Sequence, residues 1–252
     1  MLTYLHYLKN TMINKIKLSQ NCSKKSRLIN DIKFVIIHYT GMQSEIESFD
    51  RLKSIKSRVS CHYLINRKGE IIQMVKDNKV AWHAGKSKWK NFKNLNENSI
   101  GIELVNKGHE FGYQNFSNSQ IKSLINLCKN LKKKYMIKKE NFLGHSDIAP
   151  LRKLDPGEKF PWRRLSKYNL GFWYKISEKK NNLISQKKCK NLFFKNIYKI
   201  GYRYFKVNQR VKTDKIIIKS FQLHYLPQSV TGNLDQKTLK ISHFLANEIE
   251  LA

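Results

Sequence analysis

Two histidines and an aspartate in this chain are of the types that a catalytic metal site uses. His145 and Asp155 lie ten residues apart in FLGHSDIAPLRKLDPG (142–157), and His38 closes the run KFVIIH (33–38). That run is short, apolar and β-branched, so it reads as a buried strand. An imidazole at the end of such a strand is well placed to look into a cleft. Two His and one Asp leave one position of a tetrahedral zinc open to water, as a catalytic site needs; a structural zinc closes all four, often with Cys. Taken singly, a strand-end histidine is more often a hydrogen-bonded structural residue. The combination is what points to a metal.

Two further residues could act beside it. Glu103 interrupts the apolar SIGIELV (99–105), where a carboxyl is costly to bury unless paired or near a metal. Lys153, two residues before Asp155, shares its side if that segment is extended. A cation there would stabilise a developing oxyanion.

These groups need a scaffold, and the pattern predicts one. KFVIIHYTG (33–41) is a strand. SEIESFDRLKSIKSR (44–58) begins with the capping box Ser44–Glu47 and carries Ile46, Phe49, Leu52 and Ile55 on one helical face. CHYLINRKGEIIQMV (61–75) reads as a hairpin turning at Lys68-Gly69, and SIGIELVNKG (99–108) as another strand. Residues 117–135 form an amphipathic helix with Ile121, Leu124, Ile125, Cys128, Leu131 and Tyr135 facing the core, and NFLGHSD ends a strand. The order implies an α/β domain with a mixed central β-sheet flanked by helices, spanning residues 20–176 after an N-terminal extension, 1–19. A polar stretch, 177–191, reads as a linker. Residues 192–252 read as a small helical module with a turn at SVTGNLD and a last helix capped by Asp235. At some 60 residues it is near the lower limit for an independent core.

With 40% apolar residues the 252-residue chain can build a sizeable core, which excludes a disordered polycation. Its net charge is +31, spread almost evenly: +21 over 1–175 (34 basic, 13 acidic) and +10 over 176–252 (15 basic, 5 acidic). Such charge favours polyanions, including acidic wall polymers. Only nine of the 49 basic residues are Arg, the type suited to base readout. The Lys, Asn and Ile richness also fits A/T-rich codon usage, so no specific nucleic-acid partner is expected. Cys22, Cys61, Cys128 and Cys189 form no CxxC pair and suggest no disulfide framework. No apolar run is long enough for a transmembrane segment. MLTYLHYLKNTMINKIK lacks the features of a signal peptide. A cytoplasmic location is therefore expected, with the periplasm or cell envelope as the alternative.

Five stretches, VIIHYTG, SCHYLINRKGEIIQMV, AWHAGKSKW, NSIGIELVN and GHSDIAPLRKLDPGEKFPW, follow one another in the order and spacing of the zinc-dependent N-acetylmuramoyl-L-alanine amidases. Over roughly residues 20–174 the chain resembles the AmpD/AmiD-like branch, relatives of the peptidoglycan recognition proteins. Its tail is similar to the small peptidoglycan-binding module attached to AmiD-like members. The resemblance implies one zinc per chain held by His38, His145 and Asp155, with Glu103 as acid/base and Lys153 as transition-state cation. It implies substrate contacts from Trp82 and His83, a loop-anchoring role being the alternative. His62 is expected to face the core or back a metal ligand, and Asp147 to cap a turn. Cys61 stands where the recognition-protein branch carries a catalytic tyrosine, which leaves the acid/base work to Glu103.

The implied reaction is hydrolysis of the amide between the lactyl group of (anhydro-)N-acetylmuramic acid and L-alanine of the stem peptide, in bacterial peptidoglycan turnover or recycling. The partners would be peptidoglycan or muropeptides, and a monomer is expected. A catalytically silent peptidoglycan receptor is the alternative, against which the five intact residues argue.

Overall fold

The computed structural model describes residues 13–176 and 186–250. Its centre is a six-stranded mixed sheet in the order β1-β4-β3-β7-β2-β8. The strands are β1 (Ile13–Ile16), β2 (Phe34–Tyr39), β3 (Tyr63–Ile65), β4 (Ile71–Gln73), β7 (Ser99–Leu104) and β8 (Phe142–Gly144). β2 runs parallel to both β7 and β8, and β3 parallel to β7, while β3 and β4 form the expected antiparallel hairpin. Gly69 turns it at φ +88°, and a Cβ there would meet the Ser119 carbonyl oxygen at 2.8 Å, so both backbone freedom and close approach require glycine. A small ribbon, β5 (Lys88–Trp89) with β6 (Phe92–Lys93), stands apart.

Period-two alternation divides the sheet's two faces. Val35 and Ile37 of β2, with Ile100, Ile102 and Leu104 of β7, pack beneath α2 (Asn118–Tyr135). That helix follows the sequence pattern closely. Ser117 caps it in a reciprocal box with Gln120, and all six expected apolar residues are buried. The opposite face carries Phe34, Ile36 and His38 of β2 and Ser99, Gly101 and Glu103 of β7.

The earlier helix, α1, is shorter than expected. It spans Glu45–Lys53, with Ser44 accepting the Glu47 N–H. The assigned apolar face is wrong at its ends: Ile46 is 73% exposed and Ile55 61% exposed, and Leu52 is the residue that is buried. The helix stops before Ile55, so helical spacing no longer relates that residue to the others. Two short helices follow β8: α3 (His145–Ile148) and α4 (Trp162–Ser166).

The C-terminal part is three helices, α5 (Gln186–Ile200), α6 (Asp214–Tyr225) and α7 (Gln236–Glu250). α5 begins inside the stretch expected to be a linker, of which 177–185 lie outside the described residues. Likewise β1 falls inside the expected extension and pairs with β4. The three helices do not keep a core to themselves. Phe193, Phe194, Ile197, Ile217 and Phe221 share one apolar cluster with Phe34, Ile36, Trp89, Leu143 and Ile148 of the sheet side.

A chain ending at residue 176 would expose those five sheet-side residues, each worth about 1.5–3 kcal/mol of burial. A domain's whole stability is about 5–15 kcal/mol. Such a truncation is expected to unfold at a much lower temperature and to bind a hydrophobic dye. An unchanged melting temperature would contradict the shared core.

Candidate metal centre

Strand register brings the distant candidates together. His38 pairs with Glu103 across β2 and β7, and Ile37 pairs with Gly144 across β2 and β8, which sets His145 beside His38. All three residues lie at the carboxyl ends of parallel strands, the customary place for ligands in such sheets. Asp155 returns on the loop after α3, where its carbonyl accepts the Ser146 N–H at 2.9 Å.

His38 Nδ1, His145 Nδ1 and Asp155 Oδ2 converge. The separations are 3.0 Å between the two nitrogens, 2.9 Å from His38 to the carboxylate and 3.1 Å from His145. The outer ring nitrogens are held by other partners. His145 Nε2 lies 3.1 Å from the Ala84 carbonyl and 3.3 Å from Arg152 Nη2; with its proton given to the nearer carbonyl, Nδ1 is left as a bare lone pair. His38 Nε2 lies 3.0 Å from His83 Nδ1, and His83 Nε2 lies 3.3 Å from the Ser99 hydroxyl, which in turn donates to the Leu95 carbonyl. With protons on both outer nitrogens, the relay leaves His38 Nδ1 bare as well. Burial, with the His145 ring next, lowers His38 to about 4, so it stays neutral. Burial opposes charge on Asp155, yet the His145 and His38 rings hold it well below the usual carboxylate range. Two imidazoles and a carboxylate aimed at one point fit a divalent cation. Among the described residues, these three form the cluster able to hold a metal.

Glu103 opens partly to the cleft, but its Oε2 is shut from solvent and has no hydrogen-bond partner. Burial, followed by the nearby Asp155 charge, pushes its pKa up to about 8, against the pull of Lys153. Proton uptake and release there fall near neutrality. Lys153 is not on an extended segment as expected; its N–H closes a turn onto the Ala149 carbonyl. It still lines the same cleft, of about 610 Å³, with Glu103 and Trp82. Trp82 is 38% exposed there. His83 is different. It sits behind His38, and its ring occupies the space above Gly101, where a Cβ would come within 2.3 Å of its Cγ. His62 is buried, with Nδ1 accepting the Gly101 N–H and Nε2 facing Arg27, while Cys61 is also buried. Asp147 caps its turn by accepting the Gly144 N–H at 2.7 Å.

A larger cavity, about 770 Å³, lies among the C-terminal helices and far in sequence from these donors. Donor chemistry, not volume, singles out the candidate metal centre. Sequence reasoning missed Ser99 and Gly101, which shape the space around His83, and Arg152, which braces the Ala84 carbonyl. The one visible signal was a glycine inside an apolar strand, a mark of close approach.

Residues 29–158 match a family model described as N-acetylmuramoyl-L-alanine amidase. The N-acetylmuramoyl-L-alanine amidase AmiD of Escherichia coli (strain K12) is 34% identical over 231 residues, 85% of this chain and 82% of AmiD. The 1,6-anhydro-N-acetylmuramyl-L-alanine amidase AmpD of Haemophilus influenzae is 36% identical over 152 residues, 53% of this chain and 80% of AmpD. A solved structure of E. coli AmiD with the substrate anhydro-N-acetylmuramic acid-L-Ala-D-γ-Glu-L-Lys is similar with a TM-score of 0.76 and 31% identity, covering 90% of this chain and 92% of that one.

Gly101→Ala is expected to push His83 off His38 and weaken metal affinity by about 10–100-fold, the usual loss when the partner behind a ligand goes. Competition against a chelating dye measures this. Unchanged affinity would show that His83 does not orient His38.

Proposed function

Because the chain belongs to the N-acetylmuramoyl-L-alanine amidase family, we propose that His38, His145 and Asp155 hold one zinc ion and that the cleft around them is the catalytic site. The chain is an amidase of peptidoglycan turnover or recycling, cleaving the bond between N-acetylmuramic acid and L-alanine of the stem peptide. The observation that carries the metal is the convergence of two bare imidazole nitrogens and one carboxylate oxygen within 3.1 Å of one another. That donor set suits zinc. Zinc bound there would supply Lewis acidity, polarising a carbonyl and lowering the pKa of water to about 7.

The protein's own groups do the rest. The unpartnered Glu103 takes a proton from water as the water oxygen adds to the amide carbon. It then delivers the proton to the amide nitrogen as the C–N bond breaks, so the poor leaving group departs as a neutral amine. Lys153 offers a cation to the oxyanion that forms between these events. Trp82 presents an exposed ring for contact with the bound fragment. His83 keeps His38 in the metal-binding tautomer.

The C-terminal helices add wall binding in this reading. Support comes from the 770 Å³ cavity, which is lined by Lys190, Arg210, Asp214 and Lys215. Arg210 and Asp214 form an ion pair there, 3.6 Å from Nε to Oδ2, which leaves Arg210 Nη1 and Asp214 Oδ1 without hydrogen-bond partners. Such groups suit the mixed acceptors and donors of a stem peptide.

One experiment separates these parts: mass spectrometry of muropeptides after incubation with sacculi and, in parallel, with soluble anhydromuropeptides. Glu103→Gln is expected to keep its metal while turnover of both substrates falls by roughly 10²–10⁴. Arg210→Ala is expected to lose cleavage of sacculi only. Metal loss in Glu103→Gln would contradict its role as proton carrier. Equal loss of both substrates in Arg210→Ala would reject a wall-binding cavity.

A further inference from the structure

Asp147 is completely buried, two residues beyond the metal ligand His145. Beyond capping Gly144, it takes two hydrogen bonds from elements remote in sequence. Its Oδ1 accepts the Tyr202 hydroxyl at 2.5 Å, and its Oδ2 accepts His224 Nδ1 at 2.7 Å. Tyr202 follows α5 and His224 lies in α6. A third bond joins the same two parts: the Ser220 hydroxyl of α6 donates to the Ser146 carbonyl at 2.7 Å. The short turn that carries His145 is thus gripped on its inner side by the C-terminal helices.

The grip is rigid. The His224 ring is sandwiched between Trp162 of α4, at 3.9 Å between centroids, and its neighbour Tyr225, at 4.0 Å, both within 14° of parallel. Its Nε2 is buried and has no hydrogen-bond partner. A buried polar atom left unpaired is destabilising, and an apolar ring would fill the sandwich without that cost. What an apolar ring cannot supply is the donor to Asp147. Burial, with Asp147 next, raises the Tyr202 hydroxyl well above its ordinary pKa, so it remains a donor.

We propose that Asp147, Tyr202 and His224 are positioning residues, through which the C-terminal helices hold the His145 turn in its metal-binding geometry. The helices would then serve the catalytic centre directly, apart from any contact with the wall. This rests on the reading of His145 as a metal ligand.

The test uses the full-length chain. Tyr202→Phe removes one hydroxyl and keeps the ring. His224→Ala removes the donor and the stack, and His224→Asn restores a donor at the Nδ1 position. Two readouts apply: the zinc dissociation constant by chelator competition, and hydrogen exchange of residues 142–149 in metal-free protein. Tyr202→Phe and His224→Ala are expected to weaken zinc binding about tenfold, in the range seen for partners of metal ligands. Both should speed exchange of the 142–149 segment, and His224→Asn should recover much of each effect. Unchanged zinc affinity and unchanged exchange in both variants would overturn the proposal, even with a lowered melting temperature. Full zinc affinity in His145→Ala would instead overturn the ligand assignment on which it rests.

Discussion

Three electron-rich atoms held within 3.1 Å of one another set the terms for the rest of this molecule. Without a cation, two bare imidazole nitrogens and a carboxylate oxygen repel one another, and burial strengthens that repulsion. Some structure must hold them in place before a metal arrives. The parallel pairing of β2 with β7 and β8 does this first, by fixing His38 beside both Glu103 and His145. The Ser146–Asp155 backbone bond then ties the His145 turn to Asp155. Finally, carbonyl and imidazole partners at the outer nitrogens decide which lone pairs face inward.

This requirement explains how the sheet's second face is used. Along β2 its residues change from apolar to polar, from Phe34 and Ile36 to His38, and β7 brings Glu103 to the same end. The apolar half needs a cover, and the C-terminal helices provide it. The polar half must stay open, and there the cleft lies. Asp147 stands at the border between the two. A module that would be marginal as a separate unit gains its core by sharing one with the sheet. The same contact ties the His145 turn to side chains 55 to 77 residues further along the chain.

Much of this was legible in the sequence because local rules carried it. The Ser117 cap, the apolar stripe of α2, the Gly69 turn and the His38 strand all express short-range preferences, and each is found where the pattern put it. That His38, His145 and Asp155 would meet was expected from their combination and from the family resemblance, neither histidine alone being informative, and the three donors do cluster. What was not legible depended on contacts distant in sequence. Ile46 and Ile55 follow helical spacing, yet both face solvent: Ile55 lies beyond the end of the helix, and Ile46 sits in its first turn with nothing packed over it. β1 carries a pattern too weak to mark it, and pairing with β4 defines it. His83 matched a motif next to Trp82, but only the glycine opposite shows that it backs His38. His224 lay in an ordinary amphipathic helix with no sign of the buried carboxyl it would meet.

The central claim is that His38, His145 and Asp155 hold the metal while no cysteine does. Zinc K-edge X-ray absorption of the full-length protein loaded with one equivalent tests it most directly. Expected are scattering from two imidazoles, with Zn–N near about 2.0–2.1 Å, a remaining shell of oxygen, and no sulfur near about 2.3 Å. The imidazole count should fall to one in His145→Ala. A sulfur shell, or an unchanged two-imidazole spectrum in that variant, would contradict the assignment of the site.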